Sequence, residues 1–302
     1  MKKIIITVVV ILIFAIIAIY CKFILGLASQ MANPKVSTLE KEMSWEKEHK
    51  LWGDYDDYEK EDYIVKGLND YDLHVTLVKN PIPSDKYVII SHGFKSNRYG
   101  AVKYVDSYID LGFNCIIYDM RDHGENEKAT VSLGQFESED LYKLIEDTYN
   151  RYGNIKLGLH GESMGAATSL MVLAKKPKVD FVVADCGFDN LYDLIHTSYS
   201  VAKVGFVLPS VNTAMKLRYG YDMKKTSPKD ALVGNEVPVC FIHGEADTFI
   251  LPDNSQVNKA ATAGYSELHL VPNAAHAQSR EVLGKAEYRG IIGDFLNNID
   301  FK

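Results

Sequence analysis

Short apolar segments alternate with longer amphipathic segments along most of the chain. Buried strands of a parallel sheet are apolar throughout, whereas surface helices carry apolar residues three or four positions apart. The pattern predicts strands near residues 63–66, 73–78, 87–91, 113–118, 155–160, 181–185, 237–242 and 266–271. It predicts helices near residues 99–111, 138–152, 164–175, 254–263 and 280–298. This alternation indicates a mostly parallel sheet of about eight strands with helices on both faces, in which the first strands can be antiparallel.

One stretch interrupts the alternation. Residues 187–236 are too long for a simple connection between neighbouring strands, and they contain the largely apolar segment 199–211. We expect helices here that form a small cap above the carboxyl edge of the sheet. Ordinary core helices are the alternative.

Residues 1–28 are the most apolar part of the chain. Lys2 and Lys3 precede a run from Ile4 to Tyr20 in which Thr7 is the one polar residue. A helix of this length spans about 26 Å, close to the thickness of the bilayer core. We predict an uncleaved membrane anchor that keeps its lysines in the cytoplasm and places the rest of the chain outside. A cleaved signal peptide, which would release a secreted protein, is the alternative.

Residues 29–60 are polar, and we predict that they form a linker or a short segment, helical in part, in front of one domain at residues 61–302. The end of this stretch is rich in acidic residues, and the whole chain has a formal net charge of -7. This charge argues against nucleic acid as a partner, because phosphates would be repelled. The four cysteines do not have the density of a disulfide scaffold. Nothing in the sequence sets the oligomeric state.

The segment Gly161-Glu162-Ser163-Met164-Gly165 indicates the chemistry most directly. It follows a predicted strand and begins a predicted helix. A serine in such a tight turn needs neighbours without side chains, and the turn exposes the serine hydroxyl. The helix start directs the amide of Met164 towards the charge that develops on a reacting oxygen. We interpret Ser163 as a nucleophile and the Met164 amide as an oxyanion donor.

A serine nucleophile requires a base, and the base requires an orienting carboxylate. With this type of turn, the order along the chain is serine, acid, histidine. Asp247 follows the predicted strand 237–242, and His276 follows the strand 266–271. All three residues therefore come after strand ends, at the edge where open α/β sheets bind ligands. Asp185, at the end of the strand before, is the alternative acid.

The second oxyanion donor is expected in the loop after strand 87–91. Gly93 lets the backbone approach a substrate closely, so the amide of Phe94 is our candidate. His123 is expected to belong to a structural polar network. Three further histidines beside glycines at strand ends are expected to be packed and hydrogen-bonded rather than catalytic: His92, His160 and His243.

Together these segments resemble the α/β-hydrolase superfamily, in particular its serine aminopeptidase-like and acyl-esterase members. The resemblance covers about residues 60–302 and rests on His92-Gly93-Phe94, residues 119–124, Gly161–Gly165, His243–Asp247 and His276. It implies the α/β-hydrolase fold, a triad of Ser163, Asp247 and His276, and an oxyanion hole formed by Phe94 and Met164. Two departures concern loop geometry: residues 249–252 replace the Val-Pro that many relatives carry after the acid, and Ala275 replaces a glycine before the histidine.

We therefore expect a membrane-anchored serine hydrolase that cleaves small-molecule acyl esters through an acyl-enzyme and needs no cofactor or metal. Peptidase, thioesterase and acyltransferase activities remain open, since they use the same groups. A non-catalytic binding or scaffold protein is the alternative from another class. The apolar residues of 199–211 favour short-to-medium acyl esters over peptides, and Phe206 and Leu208 are expected to set the preferred chain length.

Overall fold

A computed structural model describes residues 1–301. Its centre is a sheet of eight strands: β1 (Lys60–Lys66), β2 (Asp72–Val78), β3 (Lys86–Ser91), β4 (Asn114–Tyr118), β5 (Lys156–Glu162), β6 (Phe181–Asp185), β7 (Val239–Gly244) and β8 (Ser266–Val271). The strand order is β1-β2-β4-β3-β5-β6-β7-β8. β2 runs antiparallel to β1 and β4, and the remaining neighbours are parallel. The predicted strands and the antiparallel start of the sheet are confirmed.

The helices follow the predicted positions closely. They are α1 (Lys2–Ala32), α2 (Leu39–Glu48), α3 (Val102–Asp110), α4 (Gln135–Tyr152), α5 (Met164–Met171), α6 (Leu191–Val201), α7 (Leu208–Ala214), α8 (Pro228–Ala231), α9 (Asp253–Ala261) and α10 (Ser279–Asn298). Short 3-10 turns precede α3 and follow α5. A π-helical turn, Met215–Tyr219, continues α7.

Two hydrophobic cores lie on opposite faces of the sheet. On one face, α4 and α5 bury side chains such as Leu144 and Leu170. On the other face, α3 and α10 bury large aromatic rings such as Tyr108 and Phe295. The strands are apolar throughout because both faces of the sheet are buried. Since β3 to β8 are parallel, their carboxyl ends lie along one edge of the sheet.

Helix α1 continues without a break from the apolar run into the domain. Its first part is exposed, and by length and composition it is the one helix among residues 1–301 that is long and apolar enough to cross a membrane. Its last part is packed: Ile24, Ala28 and Ala32 form a buried ridge at every fourth position. This ridge contacts α7, and the two alanines allow the helices to approach closely.

The segment that we predicted to be a polar linker lies against the domain. Within its acidic sequence, Leu51, Trp52 and Tyr55 are buried, and Trp52 packs with its edge against the ring of Tyr99. These few apolar residues did not predict packing because the surrounding sequence is rich in carboxylates. Helix α2 and the turn after it therefore pack against the domain that begins at β1.

The stretch 187–236 contains α6, α7 and α8, as expected for helices outside the sheet. The stretch contains both an exposed helix, as expected for a cap, and buried residues, as expected for core helices. Most of α6 is partly or fully exposed, whereas Val207, Leu208 and Val211 are buried next to α1. Phe206 is 77% exposed. Leu208 is therefore a packing residue rather than the free cap residue that we expected.

Candidate active site

Ser163 occupies a strained turn between β5 and α5. Its backbone has φ 54° and ψ -114°, a conformation that residues other than glycine rarely adopt. A methyl group on Gly161 would overlap the backbone carbonyl of Gly165, and one on Gly165 would overlap the carbonyl of Ser91. The Ser163 amide donates a hydrogen bond to the Asp185 carbonyl at 2.8 Å, which anchors the turn to β6. The glycines are thus required by close packing around the serine.

Ser163, His276 and Asp247 lie in hydrogen-bond contact, although loops far apart in the chain supply them. Ser163 Oγ is 2.9 Å from His276 Nε2, and His276 Nδ1 is 2.7 Å from Asp247 Oδ2. Asp247 follows β7, and His276 lies between β8 and α10. A carboxylate can only accept, so Nδ1 carries the proton and Nε2 is free to accept from the serine hydroxyl.

The carboxylate of Asp247 is held ionised. Burial opposes its negative charge, but hydrogen bonds from His243 and His276 outweigh burial and keep its pKa well below the usual range. Its Oδ1 also accepts from the amides of Phe249 and Ile250, each at 2.9 Å. This fixed carboxylate orients the imidazole of His276.

His243 is buried and hydrogen-bonded, as expected, and its partner Asp247 was not expected from the sequence. Its Nε2 lies 2.8 Å from the Ile250 carbonyl and 3.3 Å from Asp247 Oδ2, and its Nδ1 lies 2.7 Å from Ser255 Oγ. The separation of four residues between His243 and Asp247 was the available signal. This spacing is informative only because the loop after β7 turns back and brings Asp247 next to His243.

Asp185, the alternative acid, has other partners. Its carboxylate accepts hydrogen bonds from Ser279 Oγ and the Tyr288 hydroxyl, both at 2.9 Å. Burial, together with repulsion from Glu162, raises its pKa to about 6. The hydrogen bonds tie β6 to α10, and within residues 1–301 none links Asp185 to His276.

The two expected oxyanion donors lie beside Ser163. Gly93 approaches so closely that a methyl group there would be 3.8 Å from Ser163 Cβ. Phe94 and Met164 line a pocket together with Ser163. Within residues 1–301, neither of their amides donates to another protein group, so both remain available for a ligand oxygen.

Neutral histidines shape the loop that carries Phe94. His92 Nε2 accepts from the Met120 amide at 3.0 Å, and His123 Nε2 accepts from the Lys95 amide at 3.1 Å. Burial lowers the pKa of His92 to about 4 and that of His123 to about 3. Because both rings stay neutral, they can accept these hydrogen bonds.

A buried charged cluster lies beside Ser163 and lines the same pocket. Glu162 binds Lys103 Nζ and the Tyr104 hydroxyl, both at 2.5 Å. Glu46 of α2 is almost fully buried nearby, and burial raises its pKa to about 8 against the attraction of Lys103. The sequence indicated no role for Glu162. It did not identify Glu46, because α2 lies in a segment that was predicted to be a linker.

Two groups of side chains have metal-ligand types within 4.8 Å of one another: Cys186 with Asp247 and His276, and Cys240 with Glu267 and His269. Burial raises the pKa of both cysteine thiols well above the usual range. A metal would require the thiolate form, which this burial disfavours.

The family model for the alpha/beta hydrolase fold matches residues 86–204. An uncharacterised protein of Bacillus subtilis (strain 168), YqkD, is 30% identical over 262 residues, which cover 83% of this chain and 84% of the relative. The chain belongs to the α/β-hydrolase fold family. The resemblance to the α/β-hydrolases that the sequence motifs indicated is confirmed.

Solved α/β-hydrolases with the same fold include the esterase Pf2001 of Pyrococcus furiosus. One of its structures has a TM-score of 0.65 at 22% identity and covers 82% of this chain and 94% of its own. XC6422 of Xanthomonas campestris, an α/β serine hydrolase without a lid, has a TM-score of 0.55 at 16% identity, with coverages of 80% and 94%. These likenesses establish the shared fold.

Proposed function

We propose that this α/β-hydrolase cleaves carboxylic esters through a covalent acyl-enzyme. The observation that carries the proposal is the continuous hydrogen-bonded relay from Ser163 Oγ through His276 to Asp247. A packed structural serine does not need a strained backbone, an imidazole within hydrogen-bond distance and an ionised carboxylate in one line. Nucleophilic catalysis needs all three.

In the proposed mechanism, Ser163 Oγ attacks the ester carbonyl while His276 Nε2 takes its proton. Asp247 stabilises the imidazolium that forms, and the amides of Phe94 and Met164 donate to the oxyanion. The imidazolium then protonates the leaving alcohol, which gives an acyl-Ser163. Water activated by His276 attacks this ester, releases the carboxylic acid and restores the serine hydroxyl.

The apolar pocket beside Ser163 fits an acyl chain and so favours an acyl substrate over a peptide. The name of Pf2001 as an esterase is consistent with this choice, although its likeness concerns the fold. Peptidase, thioesterase and acyltransferase reactions share the acyl-enzyme and are distinguished by the substrates that the enzyme turns over.

We further propose that α1 is retained as a membrane anchor and that the catalytic domain faces the outside. Cleavage after Ala28, at the weak site Gly26-Leu27-Ala28, would remove Ile24 and Ala28 from the buried ridge. Such a loss of packed side chains costs stability. Lys2 and Lys3 favour a cytoplasmic amino terminus.

Covalent labelling with a fluorophosphonate probe tests the enzyme. We expect the wild type and Ser169→Ala to be labelled and to hydrolyse short p-nitrophenyl esters, whereas Ser163→Ala does neither and keeps its circular dichroism. Ser169 is the matched control because it is a buried serine on α5 whose hydroxyl has no partner within residues 1–301. An unlabelled but folded wild type would favour a binding or scaffold role.

Membrane extraction tests the anchor. The intact full-length chain should remain with membranes at alkaline pH and should enter detergent. Recovery of a chain that begins near Ser29 in the aqueous fraction would contradict retention of α1.

A further inference from the structure

Two pockets that differ in their number of charged side chains meet at Ser163. One has a volume of about 430 Å³ and is lined by charged and polar side chains, including Lys41, Glu42 and Glu281. The other has a volume of about 260 Å³ and is mainly apolar. A substrate that reacts at Ser163 and fills both pockets must therefore be amphiphilic.

The position of His276 assigns the two ends of this substrate. His276 lines the polar pocket, whereas Met164 lines the apolar one. In acyl transfer, the histidine must reach the leaving oxygen in order to protonate it. The alcohol of the ester therefore lies on the polar side, and the acyl chain lies in the apolar pocket.

The apolar pocket has walls from α1 and α6. Leu27 and Met31 line it from α1, and Leu191, Ile195 and Tyr199 line it from α6. The α6 wall extends from Leu191 to Tyr199, which corresponds to about 12 Å of helix. The anchor helix itself thus forms part of the pocket next to the nucleophile.

Both walls lead towards the predicted membrane surface. On α1, the direction from Met31 to Leu27 continues to Tyr20, where the apolar run ends. On α6, the direction from Leu191 to Tyr199 continues to the exposed residues Val201 and Phe206. An acyl chain can therefore pass from the bilayer into the pocket along an apolar route.

We propose that the substrate is a single-chain acyl ester of a small polar alcohol, of the monoacylglycerol class, which reaches Ser163 from the bilayer that holds α1. This proposal rests on the proposed ester hydrolysis and names its substrate. Water and the ester give a free fatty acid and the polar alcohol. The polar second pocket disfavours a lipid with two acyl chains.

Kinetics with the full-length chain in phosphatidylcholine vesicles test the α1 wall. The wild type should prefer monopalmitin to monobutyrin. Leu27→Trp should reduce kcat/KM for monopalmitin by about tenfold or more, the equivalent of about two lost methylene contacts. It should reduce kcat/KM for monobutyrin less than for monopalmitin, so that the ratio of the two values falls, because a short acyl chain makes fewer contacts with the pocket wall.

Leu25→Trp is the matched control, since Leu25 lies on the same helix, is 39% exposed and does not line the pocket. It should keep the wild-type ratio of the two rates. Ile195→Trp narrows the opposite wall and should reproduce the effect of Leu27→Trp. Equal ratios in all variants, or faster turnover of diacylglycerol than of monopalmitin, would overturn the proposal.

Photocrosslinking separates this proposal from ester hydrolysis itself. A palmitic acid probe with a diazirine near its methyl end should label residues 191–199 in Ser163→Ala, where no turnover occurs. Leu27→Trp in that background should abolish the labelling, and Leu25→Trp should retain it. Labelling confined to other segments would overturn the pocket assignment, even if short esters are hydrolysed.

Discussion

The hydroxyl of Tyr20 donates a hydrogen bond to Ser210 Oγ at 2.9 Å. Tyr20 ends the apolar run of α1, and Ser210 lies near the start of α7. At the other end of this helix pair, Asn33 contacts the Tyr219 hydroxyl at 3.4 Å. The two helices therefore run in the same direction, and the segment before Ser210 lies nearest the proposed membrane.

This alignment predicts that Phe206 enters the membrane surface. Phe206→Trp in vesicles should show fluorescence quenching by brominated lipids, because an exposed apolar ring at this level is stabilised by the interface. Leu217→Trp is the control, as Leu217 is 84% exposed but lies towards the Tyr219 end. Equal quenching of the two variants, after subtraction of the wild-type signal, would contradict the proposed orientation.

Asp247→Asn should reduce kcat for a short p-nitrophenyl ester by about 10⁴-fold, because the imidazole loses the partner that fixes its tautomer. Asp185→Asn should keep most of the turnover but lower the melting temperature. Its amide offers one acceptor oxygen for the two hydroxyl donors of Ser279 and Tyr288. The reverse ranking of the two kcat values would transfer the acid role to Asp185.

Gly165→Ala should abolish folding or labelling by a fluorophosphonate, since its methyl group would overlap the Ser91 backbone. Gly290→Ala, on α10, places a methyl group in open space and should raise stability by up to about 1 kcal/mol. Thermal unfolding and labelling of both variants measure the difference. An active, stable Gly165→Ala variant would show that the turn can open around Ser163.

The sequence was sufficient to predict the sheet and the residues around Ser163, because both depend on local patterns. Apolar strands, a turn with two glycines and polar residues after strand ends can each be recognised within a few positions. The contact between Leu27 and the pocket could not be predicted in this way. It depends on the packing of α1 against α7, and six of the eight strands lie between these helices in the sequence.

The same limit applies to α2. Its charged sequence concealed Glu46, whose burial is set by contacts with the distant α3 region. A carboxylate that faces Lys103 beside the proposed nucleophile has no signature in a single sequence, since each residue is common on exposed helices.

Glu46 should make the protein less stable as the pH rises. The unfolded chain releases this proton near its ordinary pKa of 4.5, whereas burial raises the pKa in the folded protein to about 8. Between these values the folded state binds more protons than the unfolded state, so the free energy of unfolding falls as pH increases. Glu46→Gln removes the titration and should raise the melting temperature at about pH 8, with a smaller gain near pH 5.

Glu48→Gln, at an exposed position of the same helix, should follow the wild-type curve. Parallel curves for the wild type and Glu46→Gln across this range would show that Glu46 is ionised in the folded protein and is stabilised by Lys103 more strongly than burial opposes it.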